Sequence, residues 1–241
     1  MEAIQTKNLN KTFKDKVAVD GLNLTVHRGE LYTLLGVNGA GKTTAIRMLT
    51  CLARPTSGEA KVCGYDVISE REKVKERIGV SPQETSVAPN LTVKENLRFF
   101  ADLTLPKAER EKAVGEMIEL FRLGEFEKKK AKLLSGGWQR QLSIAMALIG
   151  KPQVLFLDEP TLGLDVIARR RLWEVVQSLK GKMTILLTTH YMEEAEVLSD
   201  RVGVLARGKL YTEGTVEEIE TRTNSNSLEE AFVAITKEAE Q

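Results

Sequence analysis

The segment GVNGAGKTT, Gly36 to Thr44, constrains this 241-residue chain more tightly than any other stretch. It demands a strand, a tight loop and a helix, in that order. Leu31, Tyr32, Leu34 and Leu35 form a short apolar run ending at Gly36, and Ala45 to Leu52 reads as the helix. Gly36, Gly39 and Gly41 let the backbone turn with its N–H groups inward, so the loop and the helix N-terminus form a concave anion site that fits phosphates. Asn38, Ala40 and Thr44 complete the phosphate-binding stretch. Lys42 adds a point charge for terminal phosphates, and the Thr43 hydroxyl is placed to ligate magnesium. A glycine-rich strand-to-helix turn with no ligand is the plain alternative. Lys-Thr directly after the last glycine argues against it.

A second apolar run, Val154 to Leu157, has the length and composition of a buried parallel strand and ends in Asp158 and Glu159. Carboxylates at the C-terminal edge of such a strand sit where open α/β sheets bind ligands. Asp158 suits magnesium, commonly through water, and Glu159 can polarise a water toward a γ-phosphate. Alternatively, Asp158 caps a helix starting near Pro160. Upstream, Ser135, Gly136 and Gly137 precede a helix-compatible run from Trp138 to Leu148. They expose N–H groups at a helix N-terminus, a second phosphate receptor. Two phosphate receptors with one nucleotide-sized loop call for a head-to-tail pair of subunits.

From about Ile4 to about Gly214, the order of these segments resembles the ATP-binding cassette (ABC) family. The resemblance implies an α/β fold: a P-loop NTPase core with a mainly parallel sheet, an N-terminal antiparallel β subdomain and an inserted helical subdomain. About 1–90 and 150–220 form the core, about 91–149 the helical subdomain with the signature LSGGW (Leu134 to Trp138), and about 227–241 a C-terminal helix. The implied chemistry is ATP hydrolysis with Mg2+ across a dimer interface, each γ-phosphate capped by Ser135, Gly136 and Gly137 of the other subunit. The family usually has Gln where this chain has Trp138, a departure that concerns contacts beside the sugar. Gln83 resembles the family's Q-loop glutamine, whose amide reaches magnesium or the attacking water. His190, ending the apolar strand Thr184 to Thr189, matches the switch histidine that donates to charge developing on the γ-phosphate. Asp165, in TLGLD, matches the loop between the two subunits and also suits an N-cap for a helix from Ala168 to Leu179. Phe13 stands where the family stacks an aromatic, most often Tyr, on adenine. A core strand Phe is the other reading.

Composition agrees with one α/β domain. Apolar residues make up 42% of the chain, enough for a sizeable core, and one phosphate loop without an internal repeat favours a single domain. With 35 basic against 34 acidic residues there is no polyelectrolyte signature, so nucleic acid is not expected as a partner. The lysines at 128, 129, 130 and 132 read as a solvated face. Cys51 and Cys63 make no disulfide framework and fit a reducing cytosol, and no signal peptide is evident. No stretch approaches the roughly 18 apolar residues that span a bilayer. A transporter part of this kind therefore implies a separate transmembrane permease subunit, with the chain, as a homodimer or heterodimer, on the cytoplasmic face of the membrane.

Ala3 to Phe13 and Val17 to Val26 alternate as antiparallel strands, with Asp20-Gly21 as a turn candidate. Helical stretches run from Val93 to Leu103 and from Pro106 to Leu123. Leu91, Val93, Leu97, Phe99 and Phe100 cluster where the family receives coupling helices from its membrane partner, or form an amphipathic core stripe. Ser227 with Glu230 forms a capping box ahead of Leu228, Ala231, Phe232 and Ile235. The end at Gln241 leaves no room for an extra β-rich regulatory domain. The run from Thr188 to Leu210 with SLEEAFVAIT looks most like ATPase subunits of ABC-2 type exporters, which move drugs, lipids or polysaccharides. Two other classes share part of this pattern: a soluble ABC ATPase switching a cytosolic assembly, and a P-loop kinase, which has no use for LSGGW.

Overall fold

Three strands have every residue buried: β3 (Leu31–Leu35), β7 (Val154–Asp158) and β8 (Thr184–Thr189). Apolar on both faces, they can only lie in the middle of a covered sheet. In the computed structural model, which describes residues 1–239, they do so. The last two residues of the expected C-terminal helix, 240–241, lie outside the described residues. In chain order the elements are β1 (Glu2–Phe13), β2 (Lys16–His27), β3, α1 (Lys42–Leu49), β4 (Ser57–Val62), β5 (Tyr65–Asp66), α2 (Arg71–Lys75), β6 (Ile78–Ser81), α3 (Val93–Thr104), α4 (Arg110–Leu120) and α5 (Gly136–Leu148). Then follow β7, α6 (Val166–Leu179), β8, α7 (Met192–Leu198), β9 (Arg201–Ala206), β10 (Lys209–Gly214), α8 (Val216–Thr223) and α9 (Leu228–Glu238).

The larger sheet has the order β10-β9-β3-β8-β7-β6, and the smaller has the order β2-β1-β4-β5. All pairings of the larger sheet are parallel except β9 with β10, whereas every pairing in the smaller one is antiparallel. This is the mainly parallel core with an antiparallel β subdomain that the sequence implies. One apolar cluster joins Leu155, Leu157, Ile185 and Leu187 of the sheet to Val93, Leu97, Phe121 and Leu142 of the helices. A second joins Phe156 and Leu186 to α1 and the smaller sheet. The central strands are thus covered on both sides.

Several local expectations need correction. Asp20-Gly21 is no turn: β2 runs through it, and Gly21, at φ 62°, sits beside a register shift against β1. The chain reverses instead at Lys14 and Asp15, where Lys14 takes φ 49°. At Ser227 the hydroxyl accepts from the Glu230 N–H as expected, but the Glu230 carboxylate accepts from Asn226 N–H, one residue before the cap. The chain therefore closes only half of a capping box there. Complete boxes occur at Thr92 with Glu95 and at Thr215 with Glu218.

Strand β6 carries the chain to Gln83, and its distance from α5 is set by Gly79. A Cβ built there would lie 2.1 Å from the Ala147 carbonyl oxygen and 3.0 Å from Pro152 Cγ. Gly79→Ala is therefore expected to push β6 off α5 at a cost of about 2 kcal/mol, lowering Tm by about 4–8 °C. A thermal melt at wild-type temperature would show that the two backbones are not held this close.

Candidate functional site

Two of the three loop glycines, Gly36 and Gly41, are required sterically. A Cβ on Gly36 would lie 2.4 Å from the Leu205 carbonyl, and one on Gly41, at φ 110°, 2.4 Å from that of Ala18. The loop is tied to the sheet by Gly36 N–H donating to Thr189 O at 3.1 Å, and to the β9–β10 turn by Gly208 N–H donating to Ala40 O at 2.9 Å. Gly41 caps α1 with no side-chain bond, so the first-turn N–H groups of α1 have no intrahelical acceptor. They point the positive end of the helix at the loop.

Lys42 is buried, and its ammonium donates to Gly36 O at 2.6 Å and Val37 O at 3.1 Å. It also lies 3.1 Å from Glu159 Oε1. The other Glu159 oxygen meets His190 Nδ1 at 2.9 Å. Lys42, Glu159 and His190 thus form one line across the carboxyl ends of the strands. Glu159 holds φ 46°, a left-handed conformation that costs a non-glycine residue about 1–2 kcal/mol. Its N–H donates both to Thr188 O at 3.0 Å and to Thr188 Oγ1 at 3.1 Å. The Thr188 hydroxyl donates in turn to Asp158 Oδ1 at 2.6 Å. No helix starts at Asp158; it ends β7.

The Thr43 hydroxyl stands 3.2 Å from the same Asp158 oxygen. Among the described residues there is no cluster of three or more acidic, His or Cys side chains suited to a metal. Magnesium does not need one: a hydroxyl and a carboxylate, completed by phosphate oxygens and waters, is a donor set it accepts. Thr43 and Asp158 fit that ion, and Gln83 opens onto the same cleft.

That cleft, of about 340 Å³, is lined by Phe13, Lys16, Ala18, Asn38, Gly39, Gly41, Lys42, Thr43, Thr44, Gln83 and Glu159. Phe13 is 48% exposed, so it is no core residue. Lys11 Nζ lies 4.8 Å from its ring centroid. Ser135, Gly136 and Gly137 do not line the cleft. Ser135 caps α5 without a side-chain bond, and both it and Gly136 are exposed, as the start of a helix open to an outside ligand must be. Asp165 is also apart from the cleft and caps α6, accepting from Ile167 N–H and Ala168 N–H at 2.9 Å, so α6 begins two residues earlier than expected. Trp138 is turned inward, 4.7 Å from the Phe126 ring, with the Arg171 guanidinium 5.6 Å from its own ring.

Sequence reasoning missed three residues. Thr188, read only as part of an apolar strand, joins Asp158 to Glu159. Arg140 is the one charge among the buried residues of α5, and that charge within a mostly apolar run is the signal the sequence offers. Only 3% exposed, it donates to the carbonyls of Pro82, Gln83, Asp158, Glu159 and Pro160. Glu194 is fully buried at the start of α7. Its Oε1 accepts from Trp173 Nε1 at 3.1 Å, while Oε2, Thr161 Oγ1 and Arg169 Nε are buried without a partner among the described residues.

Burial raises the Glu194 pKa, opposed by the Trp173 N–H bond and the Arg169 charge. In the window between the ordinary glutamate value and this raised one, the native state holds a proton that the unfolded chain has released, so stability falls as pH rises through it. Glu194→Gln, which stays neutral, is expected to flatten that part of the stability-against-pH curve and to be the more stable protein at pH 7. Parallel curves in urea melts from pH 4.5 to 8 would contradict this.

Residues 19–162 match the family described as "ABC transporter". The chain is 43% identical over 228 residues to the daunorubicin/doxorubicin resistance ATP-binding protein DrrA of Streptomyces peucetius, covering 94% of this chain and 69% of that protein. It is also 43% identical over 212 residues to the human phospholipid-transporting ATPase ABCA3, covering 86% of this chain but only 12% of that protein. A solved dimeric post-hydrolysis state of an ATP-binding cassette with ADP and Pi superposes with a TM-score of 0.80 at 27% identity, over 88% of this chain and 98% of that one.

Proposed function

The chain belongs to the ABC transporter family as an ATP-binding, ATP-hydrolysing subunit, and on that premise we propose that two copies close head to tail on ATP to drive export through a separate membrane protein. The observation that carries the reading is the division of the site. Lys42, Glu159 and His190 line up beside Thr43 and Asp158, while Ser135, Gly136 and Gly137 at the open start of α5 do not line that cleft. A second subunit supplies what one subunit's cleft lacks.

The triphosphate lies along Gly36 to Thr44, with Asn38, Gly39 and Ala40 forming the turn around it and Phe13 stacking on the base. Entering phosphate competes with Glu159 for Lys42 and releases one Glu159 oxygen. That carboxylate then orients a water and takes up its proton as the water oxygen bonds to the γ-phosphorus and the bond to the β-phosphate oxygen breaks. His190, held by the other Glu159 oxygen, donates to the charge growing on the γ-phosphate. Magnesium, held by Thr43 and Asp158 with Gln83 beside them, would supply charge neutralisation on the phosphates. Ser135, Gly136 and Gly137 of the opposite subunit cap the γ-phosphate. ADP offers them nothing to hold, so hydrolysis removes the differential affinity that favours the closed pair. Asp165, exposed at the start of α6, runs along the subunit junction.

For the membrane partner, a cleft of about 570 Å³ between β6, α3 and α5 is the dock we favour. Val93 and Leu97 are fully buried and belong to the core, whereas Phe100 and Leu103 line this cleft and Phe99 is 54% exposed. The cargo classes named for the relatives, a drug and a phospholipid, are those proposed for the assembled exporter. Among the described residues no helix is long and apolar enough to cross a membrane, in keeping with a peripheral subunit.

Glu159→Gln is expected to keep ATP affinity, to lose turnover by at least about 100-fold and to accumulate ATP-dependent dimers in size-exclusion chromatography. Wild-type turnover in this variant would remove Glu159 from its role. Ser135→Arg is expected to abolish hydrolysis while an isolated subunit still binds ATP. Loss of binding by the isolated variant would count against action across the interface.

A further inference from the structure

We propose that Arg140 is a positioning residue that locks the backbone of the Gln83 loop to the backbone of Glu159, so that any movement of that loop or of α5 changes the aim of the Glu159 carboxylate. The inference deepens the ATPase reading and rests on it. A guanidinium has five N–H donors in one rigid plane. Here five carbonyls receive them, and they come from two separate loops. Nε donates to Pro160 O at 2.9 Å, and Nη2 donates to Asp158 O at 2.7 Å and Glu159 O at 2.9 Å. Nη1 donates to Pro82 O and to Gln83 O, the latter at 3.2 Å.

The spacing between the two loops is therefore the width of one planar group. Among the described residues Arg140 makes no ion pair, so its charge is spent wholly on backbone. Burial lowers its pKa to about 10, which still leaves it charged at neutral pH. Nη2 holds the carbonyls on either side of the Glu159 Cα, the residue kept at φ 46°. That bend places one Glu159 oxygen on Lys42 and the other on His190. Arg140 is also on the helix whose open start carries Ser135 to Gly137. Engagement of that start by the opposite nucleotide thus pulls on the same guanidinium that sets Glu159.

Lysine has three donors on a single nitrogen and cannot span both loops. Arg140→Lys in the full chain is expected to lower kcat by about 10- to 100-fold, with the ATP Kd within about twofold of wild type. In the Glu159→Gln background it should cause no further loss, because Arg140 acts through Glu159. A kcat within twofold of wild type, or a loss that multiplies in the double variant, overturns the proposal. So does a fall in kcat that only follows a fall in folded protein, read by the melting curve. Arg140→Met repeats the comparison without the charge; if it does not fold, the lysine variant decides. A wild-type chain that hydrolyses no ATP would instead overturn the ATPase reading, and this inference with it.

Discussion

Double-sided burial of β3, β8 and β7 is the constraint from which the rest of the molecule follows. Strands covered on both faces have nowhere to put polar chemistry except their ends. The parallel register brings those ends level: Leu35 pairs with Thr189, and Asp158 with Thr188. One edge then collects the glycine loop at 36 to 44, the two carboxylates more than a hundred residues later, and Thr188 and His190 about thirty residues beyond those. The sheet is what brings the loop and the carboxylates level with each other. In another register, Lys42 could not reach Glu159.

The pair formed by Lys42 and Glu159 shows what that alignment costs and what offsets it. Both side chains are nearly inaccessible, and taking two such charges out of water is costly unless close partners offset it. Two loop carbonyls hold the ammonium, while Lys42 and His190 hold the carboxylate. The left-handed Glu159 backbone is in turn over-determined by Thr188 on its N–H side and by Arg140 on its carbonyl side. Strain at a reactive residue persists only where the surroundings fix it from several directions. At Glu159 they are identifiable bonds.

What was legible in the sequence follows the same division. Short-range chemistry was plain. Glycines followed by Lys42 and Thr43, an apolar run ending in Asp158 and Glu159, and Ser135 before two glycines are each recognisable locally; the helix at Val93 starts at the expected residue, and Ser227 caps the last helix. The strand from Thr184 to Thr189 was read to the residue. Contacts formed through tertiary packing were not plain. Asp20-Gly21 has the composition of a turn, yet pairing along β1 carries the strand through it as an irregularity, because the ladder outweighs the local preference of two residues. The partial capping at Ser227 likewise turns on which of two adjacent N–H groups the Glu230 carboxylate meets. Arg140 left only a weak trace, a charge where α5 should be apolar. Its five acceptors are backbone oxygens, and backbone oxygens leave no mark on composition.

Trp138, the departure from the family's usual residue, has surroundings of its own, apart from the open start of α5. Its indole is packed on Phe126 and faces Arg171, so it joins α5 to the short segment after α4 and to α6 rather than lying beside Ser135 at the open helix start. A residue one turn into a helix points sideways from the axis, whereas the first N–H groups point along it. The side chain at 138 and the N–H groups at the helix start therefore face different surroundings, although they are neighbours in sequence. The same helix carries Ser135 to Gly137 at its open start and the buried Arg140 guanidinium one turn further on.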